Sequence, residues 1–277
     1  MDETPFELPV DGGVLRGHRG GSGAPALLLH GGAAVPDYTG GCAALLDGLF
    51  ATIRYTQRGT PPSSGAPPYT LEAHMADALA VLDSFGLERA WAIGHSWGGH
   101  LALHLLVAHP ERLLGLLCID PLGADASVFG AYEQHLHRKL GPEQTARIRE
   151  IEARRRAGDV TEAELLERFA LTWPHYFVRP EEKALPPPER VGVRASIETN
   201  RSLAEHFERG TLAAALPAAR LPTLFVHGEA DPMPLGATPQ LIPGALVETI
   251  PDAGHFPWVE QPEAFRHAVE RLLASVD

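Results

Sequence analysis

The stretch that decides the fold is Gly94-His95-Ser96-Trp97-Gly98. It directly follows a short apolar strand signal, Ala90–Ile93, and precedes a helical pattern that ends at His109-Pro110. A G-x-S-x-G pattern between a strand and a helix indicates a sharp turn that presents the serine, with small residues two before and two after it. The positive N-terminal end of the helix then points at the reacting oxygen. We predict Ser96 as a nucleophile; the alternative is a tight glycine turn without chemistry.

Strand and helix signals alternate on both sides of this turn. Phe6–Val10 and Val14–Arg19 flank Asp11-Gly12-Gly13 and predict a hairpin. Leu113–Ile119 is apolar without polar alternation, as expected for a strand buried on both faces of a parallel sheet. This alternation predicts an α/β fold, with a mostly parallel twisted sheet and helices on both faces.

The alternation stops at Pro121. Residues 122–216 are charged and helical, without a convincing strand, and strand signals return at Leu221–Val226 and Ala245–Ile250. We therefore predict one core domain, residues 1–121 and 217–277, with a helical insertion, residues 122–216, after the sixth strand.

An acidic residue at the carboxyl end of a strand would lie at the same sheet edge as Ser96. Asp231, in Val226-His227-Gly228-Glu229-Ala230-Asp231, is the predicted acid. Asp120, just past another strand, is the main alternative, and Glu229 is a second one.

The predicted base is His255, in Pro251-Asp252-Ala253-Gly254-His255-Phe256 after the last strand. A glycine-flanked loop there can place an imidazole over the sheet edge. His30, His95 and His227 also lie near this edge, but each belongs to another motif and is expected to support a loop.

Acyl transfer requires two backbone N–H groups directed at the developing oxyanion. The residue after the nucleophile, Trp97, would supply one. Gly32, in His30-Gly31-Gly32 after the strand Ala26–Leu29, would supply the other, because glycine allows close approach of the backbone to a substrate.

The order Ser96, Asp231, His255 resembles that of the α/β-hydrolase superfamily and differs from the chymotrypsin and subtilisin orders. The resemblance covers the chain apart from the insertion, and it implies that residues 122–216 form a helical cap over the active site. We expect an acyl-enzyme mechanism on Ser96 with no metal and no cofactor.

Tyr55-Thr56-Gln57-Arg58-Gly59 resembles the D-Q-R-G segment of proline iminopeptidases, a narrower family. This chain departs from that pattern with Thr56 for aspartate, with Ala33-Ala34 after the paired glycines, and with His95 before the serine. Glu198 and Glu205 would be candidates for recognising a free amino terminus.

Three aromatic residues of the insertion, Trp173, Tyr176 and Phe177, could line a substrate pocket. The alternative is that they pack helices of the insertion against the core domain.

The amino-acid composition disfavours several classes of binding partner. Acidic residues outnumber basic ones, 35 to 23, which disfavours nucleic acid and anionic membranes as partners. Two cysteines without a C-x-x-C spacing predict neither a disulfide framework nor a thiolate metal site. The first residues lack the features of a signal peptide, and no apolar run approaches membrane length, so a cytoplasmic protein acting on a small-molecule substrate is expected. The oligomeric state is not predicted.

Three functions fit these residues. The first is hydrolysis of a carboxylic ester or lactone. The second is an aminopeptidase activity of the proline iminopeptidase kind, and the third is a non-hydrolytic use of the same fold, as an enzyme or a receptor.

Overall fold

One sheet organises the computed structural model, which describes residues 1–276. Its eight strands lie in the order β1-β2-β4-β3-β5-β6-β7-β8 within the described chain. The strands are Glu3–Val10, Gly13–Gly20, Ala24–Leu29, Phe50–Thr56, Ala90–His95, Leu113–Ile119, Thr223–Gly228 and Leu246–Ile250, numbered β1 to β8. Strands β1 and β2 pair antiparallel, as β2 does with β4, and all other pairs are parallel. The predicted fold class is confirmed.

Helices cover the sheet and also fill the interval between β6 and β7. They are Gly40–Leu45, Leu71–Ser84, Trp97–Ala108, Ser127–Lys139, Pro142–Ala157, Glu162–Thr172, Val193–Glu208, Thr211–Ala215, Thr238–Leu241, Pro257–Glu260 and Pro262–Ala274, numbered α1 to α11. Short 3-10 turns span Pro110–Arg112, Trp173–Tyr176 and Leu216–Ala218. Within the described chain, no helix combines the length and apolar character that a membrane crossing demands.

The central strands are buried on both faces because their side chains alternate between two cores. In β3, Leu27 and Leu29 join the core on one side of the sheet, and Leu28 joins the core on the other side. Period-2 alternation of apolar residues toward both faces explains why these strands read as continuous apolar runs.

Local caps set the limits of several helices. Thr70 accepts a hydrogen bond from the Ala73 N–H at 3.4 Å and begins α2. Thr161 and Glu164 form a capping box at the start of α6.

Helices α4 to α8 occupy the chain between β6 and β7, and no strand lies among them in the described residues. We refer to residues 122–216 as the helical segment.

Close backbone contacts explain the glycines around Ser96. A Cβ added at Gly98 would lie 2.1 Å from the Leu29 carbonyl oxygen, and one at Gly94 would lie 2.3 Å from the Gly98 oxygen. Both contacts are with backbone, which cannot move aside cheaply. The turn between β5 and α3 therefore needs glycine at both positions.

Replacing Gly98 with Ala should lower the free energy of unfolding by about 1–3 kcal/mol, because the added methyl group overpacks a backbone contact. Gly130→Ala is the matched control: nothing lies within 4 Å of its added Cβ, and it sits inside α4. The control should be neutral or stabilising by about 1 kcal/mol. Urea denaturation of both variants checks this, and a Gly98→Ala protein as stable as the parent would contradict it.

Candidate active site

Ser96 occupies a strained turn between β5 and α3. Its backbone angles are φ 56° and ψ −119°, a region that side-chain-bearing residues rarely adopt. Its N–H donates to the Ile119 carbonyl oxygen at 3.0 Å, which ties the turn to the end of β6. The residue is 8% exposed and lines a cavity of about 660 Å³. The turn thus presents the serine side chain to an internal space.

The structure brings together His255 and Asp231, which come from the loops after β8 and β7. The Nδ1 atom of His255 lies 2.9 Å from Oδ2 of Asp231, and both side chains are buried. An ionised carboxylate only accepts, so Nδ1 carries the proton and Nε2 is left with its lone pair. The other Asp231 oxygen accepts the Met233 N–H at 2.9 Å. This pair has the geometry of a base oriented by an acid.

No hydrogen bond joins the Ser96 hydroxyl to His255 in the part of the chain that the structure describes. Contacts of this kind commonly tighten only when substrate binds. Both residues nevertheless lie at the carboxyl edge of the sheet, and His95, next to Ser96, packs its ring 4.6 Å from the His255 ring.

Burial shifts the pKa values of His255 and Asp231 in opposite directions. Desolvation lowers the pKa of His255; the charge of Asp120 opposes that shift and His227 adds to it. Desolvation also raises the pKa of Asp231, against the influence of His227. His255 is therefore neutral at pH 7, the form that a general base requires.

Asp120, the alternative acid, has a different partner. Its Oδ1 lies 2.7 Å from Nδ1 of His227 and accepts the Gly228 N–H at 2.9 Å. Its Oδ2 is buried and lacks a hydrogen-bond partner among residues 1–276. The geometry pairs Asp231 with His255 and Asp120 with His227.

The structure also assembles a group that chain spacing did not reveal. One ligand atom each of Asp120, His227 and Asp231 lies within 4.8 Å of the others, close enough to hold a metal ion. Asp120 lies over a hundred residues before His227 in the chain, so no sequence pattern indicates the cluster. A metal there would compete with the hydrogen bonds that Asp231 makes to His255 and to Met233.

The two predicted oxyanion donors, Gly32 and Trp97, both line the cavity beside Ser96. Trp97 is the first residue of α3, so its N–H has no acceptor within the helix. Gly32 has φ 61°, a conformation that favours glycine.

Gln57 connects the two donor loops, a role that sequence reasoning missed. Its side chain donates to the His30 carbonyl oxygen at 3.0 Å and accepts the Trp97 indole N–H at 2.8 Å. Its backbone N–H donates to Nε2 of His30 at 3.0 Å, so the neutral His30 ring is protonated at Nδ1. Gln57 therefore ties His30, two residues before Gly32, to the side chain of Trp97. The one feature of the sequence that could have indicated this role is the position of Gln57 in the Gln57-Arg58-Gly59 motif.

His95 provides a second link across the site. Its Nε2 lies 2.7 Å from the His255 carbonyl oxygen, which can only accept, so Nε2 carries the proton. Its Nδ1 then accepts the Tyr38 hydroxyl at 2.7 Å, and that oxygen accepts the Gly31 N–H at 3.0 Å. Burial lowers the pKa of His95 and keeps it neutral. His95 thus joins the loops of Gly31, Ser96 and His255.

Glu260 fixes the His255 loop from the other side. This fully buried carboxylate accepts the Gly254 N–H at 2.7 Å, the Val178 N–H at 2.8 Å and the Arg179 N–H at 3.2 Å. Sequence reasoning missed it because all three partners are backbone groups.

The three aromatic residues of the helical segment divide between two environments. Tyr176 lines the cavity, stacks on His255 with ring centroids 5.0 Å apart, and accepts the His255 N–H on its carbonyl oxygen at 2.8 Å. Trp173 and Phe177 are not among the residues that line this cavity. They pack against Phe256 with centroids 5.2 and 4.8 Å apart, so packing, the alternative considered above, describes these two better.

A turn-borne serine and an oriented histidine on a mostly parallel sheet are typical of hydrolases with an α/β fold. A model of the alpha/beta hydrolase family matches residues 26–268. The chain belongs to this family, as the order of its motifs indicated.

Known proteins of similar sequence and structure agree with this assignment. The chain is 29% identical to the 2-hydroxymuconate semialdehyde hydrolase of Pseudomonas putida, covering 94% of this chain and 90% of that protein. It is 27% identical to a mouse sn-1-specific diacylglycerol lipase over 80% of this chain and 71% of the lipase. A hydrolase structure from Pseudomonas aeruginosa superposes with a TM-score of 0.73 at 24% identity, covering 98% of each chain. The sequence relatives support the coarser prediction of an enzyme of the hydrolase class.

Replacing Asp231 with Asn should lower turnover by on the order of 10⁴-fold, because an amide N–H₂ beside Nδ1 favours the wrong tautomer of His255. Asp120→Asn is the matched control and should keep most of the activity. Equal losses in the two variants would contradict the assignment of Asp231.

The parent protein and Asp120→Asn together test the electrostatics of His255. Because burial lowers the pKa of His255, the acid limb of the parent's kcat/KM profile should lie below the ordinary histidine value of 6.5. The charge of Asp120 raises the pKa of His255. Asp120→Asn lacks that charge, so the acid limb of its kcat/KM profile should lie at still lower pH than that of the parent. A shift toward higher pH would show that Asp120 does not act on His255 in this way.

Proposed function

We propose that this protein is a serine hydrolase that cleaves a small-molecule carboxylic ester or lactone through an acyl-enzyme on Ser96. The observation that carries the proposal is the 2.9 Å hydrogen bond from His255 Nδ1 to Asp231 at the sheet edge where the Ser96 turn lies. It leaves Nε2 as the basic nitrogen, and no cofactor is required for the chemistry.

In the proposed mechanism, His255 takes the Ser96 proton as the hydroxyl oxygen attacks the acyl carbonyl carbon. The N–H groups of Gly32 and Trp97 bind the oxyanion, and Asp231 stabilises the imidazolium. His255 then protonates the leaving alcohol as the ester bond breaks. Water, activated by His255, releases the acid and restores Ser96.

We further propose that the helical segment acts as a cap on the core domain, residues 1–121 and 217–277. The cavity has walls from both parts, with Gly32 and Ser96 on the core side and Leu165 and Tyr176 on the other. Enclosure of this kind excludes water and strengthens electrostatic interactions with the substrate. The many apolar lining residues favour a partly apolar acyl group.

The aminopeptidase alternative needs acidic side chains in the cavity to bind a free amino group. Glu198 pairs with Arg194 and accepts the Tyr69 N–H, and Glu205 pairs with Arg209. Neither glutamate is among the cavity-lining residues. Two other glutamates, Glu133 and Glu152, do line the cavity, but Glu133 pairs with Arg149, and Glu152 pairs with Arg155 and Arg168. These pairings favour an ester or lactone over a peptide with a free amino terminus.

The proposal is tested by assaying purified protein side by side with p-nitrophenyl butyrate and a prolyl p-nitroanilide. We expect turnover of the ester only, reduced at least about a thousandfold in Ser96→Ala. Hydrolysis of the anilide would favour the aminopeptidase. Absence of Ser96-dependent turnover of both compounds would count against the proposed function and favour a non-hydrolytic role.

A further inference from the structure

Six charged side chains of the helical segment line the same cavity as Ser96, and three of them, Glu152, Arg155 and Arg168, form one cluster. Glu152 and Arg155 come from α5, and Arg168 comes from α6. Their side chains are only 18%, 15% and 20% exposed. Charged groups so far removed from solvent are rare unless they are paired or have a function.

The pairing among these three groups is incomplete. One carboxylate serves two guanidinium groups: Oε2 of Glu152 accepts Nε of Arg155 at 3.0 Å, and Oε1 forms an ion pair with Arg168. Burial opposes ionisation of Glu152, but Arg168 and Arg155 lower its pKa to about 2. The carboxylate is therefore charged near neutral pH, and the cluster carries one excess positive charge.

Hydrogen-bond donors at this end of the cavity are also unused. The Nε atom of Arg168 is in ion-pair contact with Glu152, but it is buried and makes no hydrogen bond within residues 1–276. The hydroxyl of Tyr132, which lines the cavity, is buried and lacks a partner in the same part of the chain. Buried polar groups without partners are costly, and a bound ligand removes that cost.

Two stacked rings connect this region to the base. Tyr132 stacks on Tyr176 with centroids 5.5 Å apart and planes 7° apart, and Tyr176 stacks in turn on His255. A substrate reacting at Ser96 can thus extend along the tyrosines toward Arg168.

Arg147, elsewhere on α5, is paired differently. Arg147 of α5 is more exposed, at 32%, and contacts Glu150, Glu164 and Glu167 within 4 Å. There, carboxylates outnumber the guanidinium group, as in an ordinary structural ion-pair network. In the cavity cluster, by contrast, two guanidinium groups share one carboxylate, although the net charge of the whole protein is −12.

We propose that Arg168, with Tyr132 beside it, binds a carboxylate group carried by the substrate, so that the ester or lactone cleaved at Ser96 is an anion. A planar guanidinium matches a carboxylate through two parallel hydrogen bonds, and the excess charge of the cluster favours an anion over a neutral group. This inference rests on the proposed function for the identity of the reacting bond.

The test compares p-nitrophenyl hexanoate with mono-p-nitrophenyl adipate, which has the same acyl chain length and a terminal carboxylate. The parent enzyme should prefer the adipate ester by about 10- to 100-fold in kcat/KM, the range of a charge-assisted pair. Arg168→Gln should remove that preference, mainly by raising KM for the adipate ester. Tyr132→Phe, which keeps the stacked ring, should reduce the preference by a smaller factor.

Arg147→Gln is the matched control, because this arginine lies on α5 but does not line the cavity. It should leave the preference of the parent unchanged. A parent that prefers the hexanoate ester, or an Arg168→Gln variant with the parent's preference, would overturn the proposal.

Calorimetric titration of adipate into Ser96→Ala separates this inference from the proposed function. Binding that weakens about 10-fold or more in Ser96→Ala/Arg168→Gln supports the carboxylate site even if neither ester is hydrolysed. Absence of adipate binding, or equal binding to both proteins, would reject the site. Loss of Ser96-dependent turnover with intact adipate binding would reject only the ester chemistry. Thermal unfolding of each variant verifies that it is folded.

Discussion

The strained backbone of Ser96 is the constraint on which the rest of the site depends. A residue with φ 56° and ψ −119° persists only where its surroundings over-determine it. Here the hydrogen bond to Ile119 and the backbone packed against Gly94 and Gly98 supply that restraint. The turn must lie in the middle of the sheet, where β3 and β6 flank β5, because only there do neighbouring strands offer both contacts.

A network of buried hydrogen bonds holds the loops around the Ser96 turn in fixed positions relative to one another. Gln57 joins the His30 loop to Trp97, and His95 joins Gly31, through Tyr38, to the His255 backbone. Apart from the bond between Gly31 and Tyr38, every link joins groups at least 27 positions apart in the sequence, so the network forms only when the sheet is complete. His30 and His95 serve as hydrogen-bond connectors in this network, because burial lowers the pKa of both and keeps them neutral.

Local signals explain what could be predicted from the sequence. The strand limits of Leu113–Ile119 follow from an uninterrupted apolar run, and the start of α6 follows from the Thr161 capping box. Long-range pairing could not be predicted in the same way. The partnership of Asp120 with His227, and that of Glu152 with Arg168, depend on how strands and helices pack in three dimensions. The division of the aromatic residues, with Tyr176 in the cavity and Trp173 outside it, depends on packing for the same reason.

The central claim is that Ser96 is the nucleophile, activated by its surroundings. Incubation with a fluorophosphonate reagent followed by peptide mass spectrometry tests it most directly. Attack by the serine oxygen forms a P–O bond and expels fluoride, while the serine proton passes to His255. We expect a single stoichiometric adduct on Ser96 that is absent from Ser96→Ala. Folded protein that remains unlabelled between about pH 6 and 9, or that carries the adduct on another residue, would contradict it.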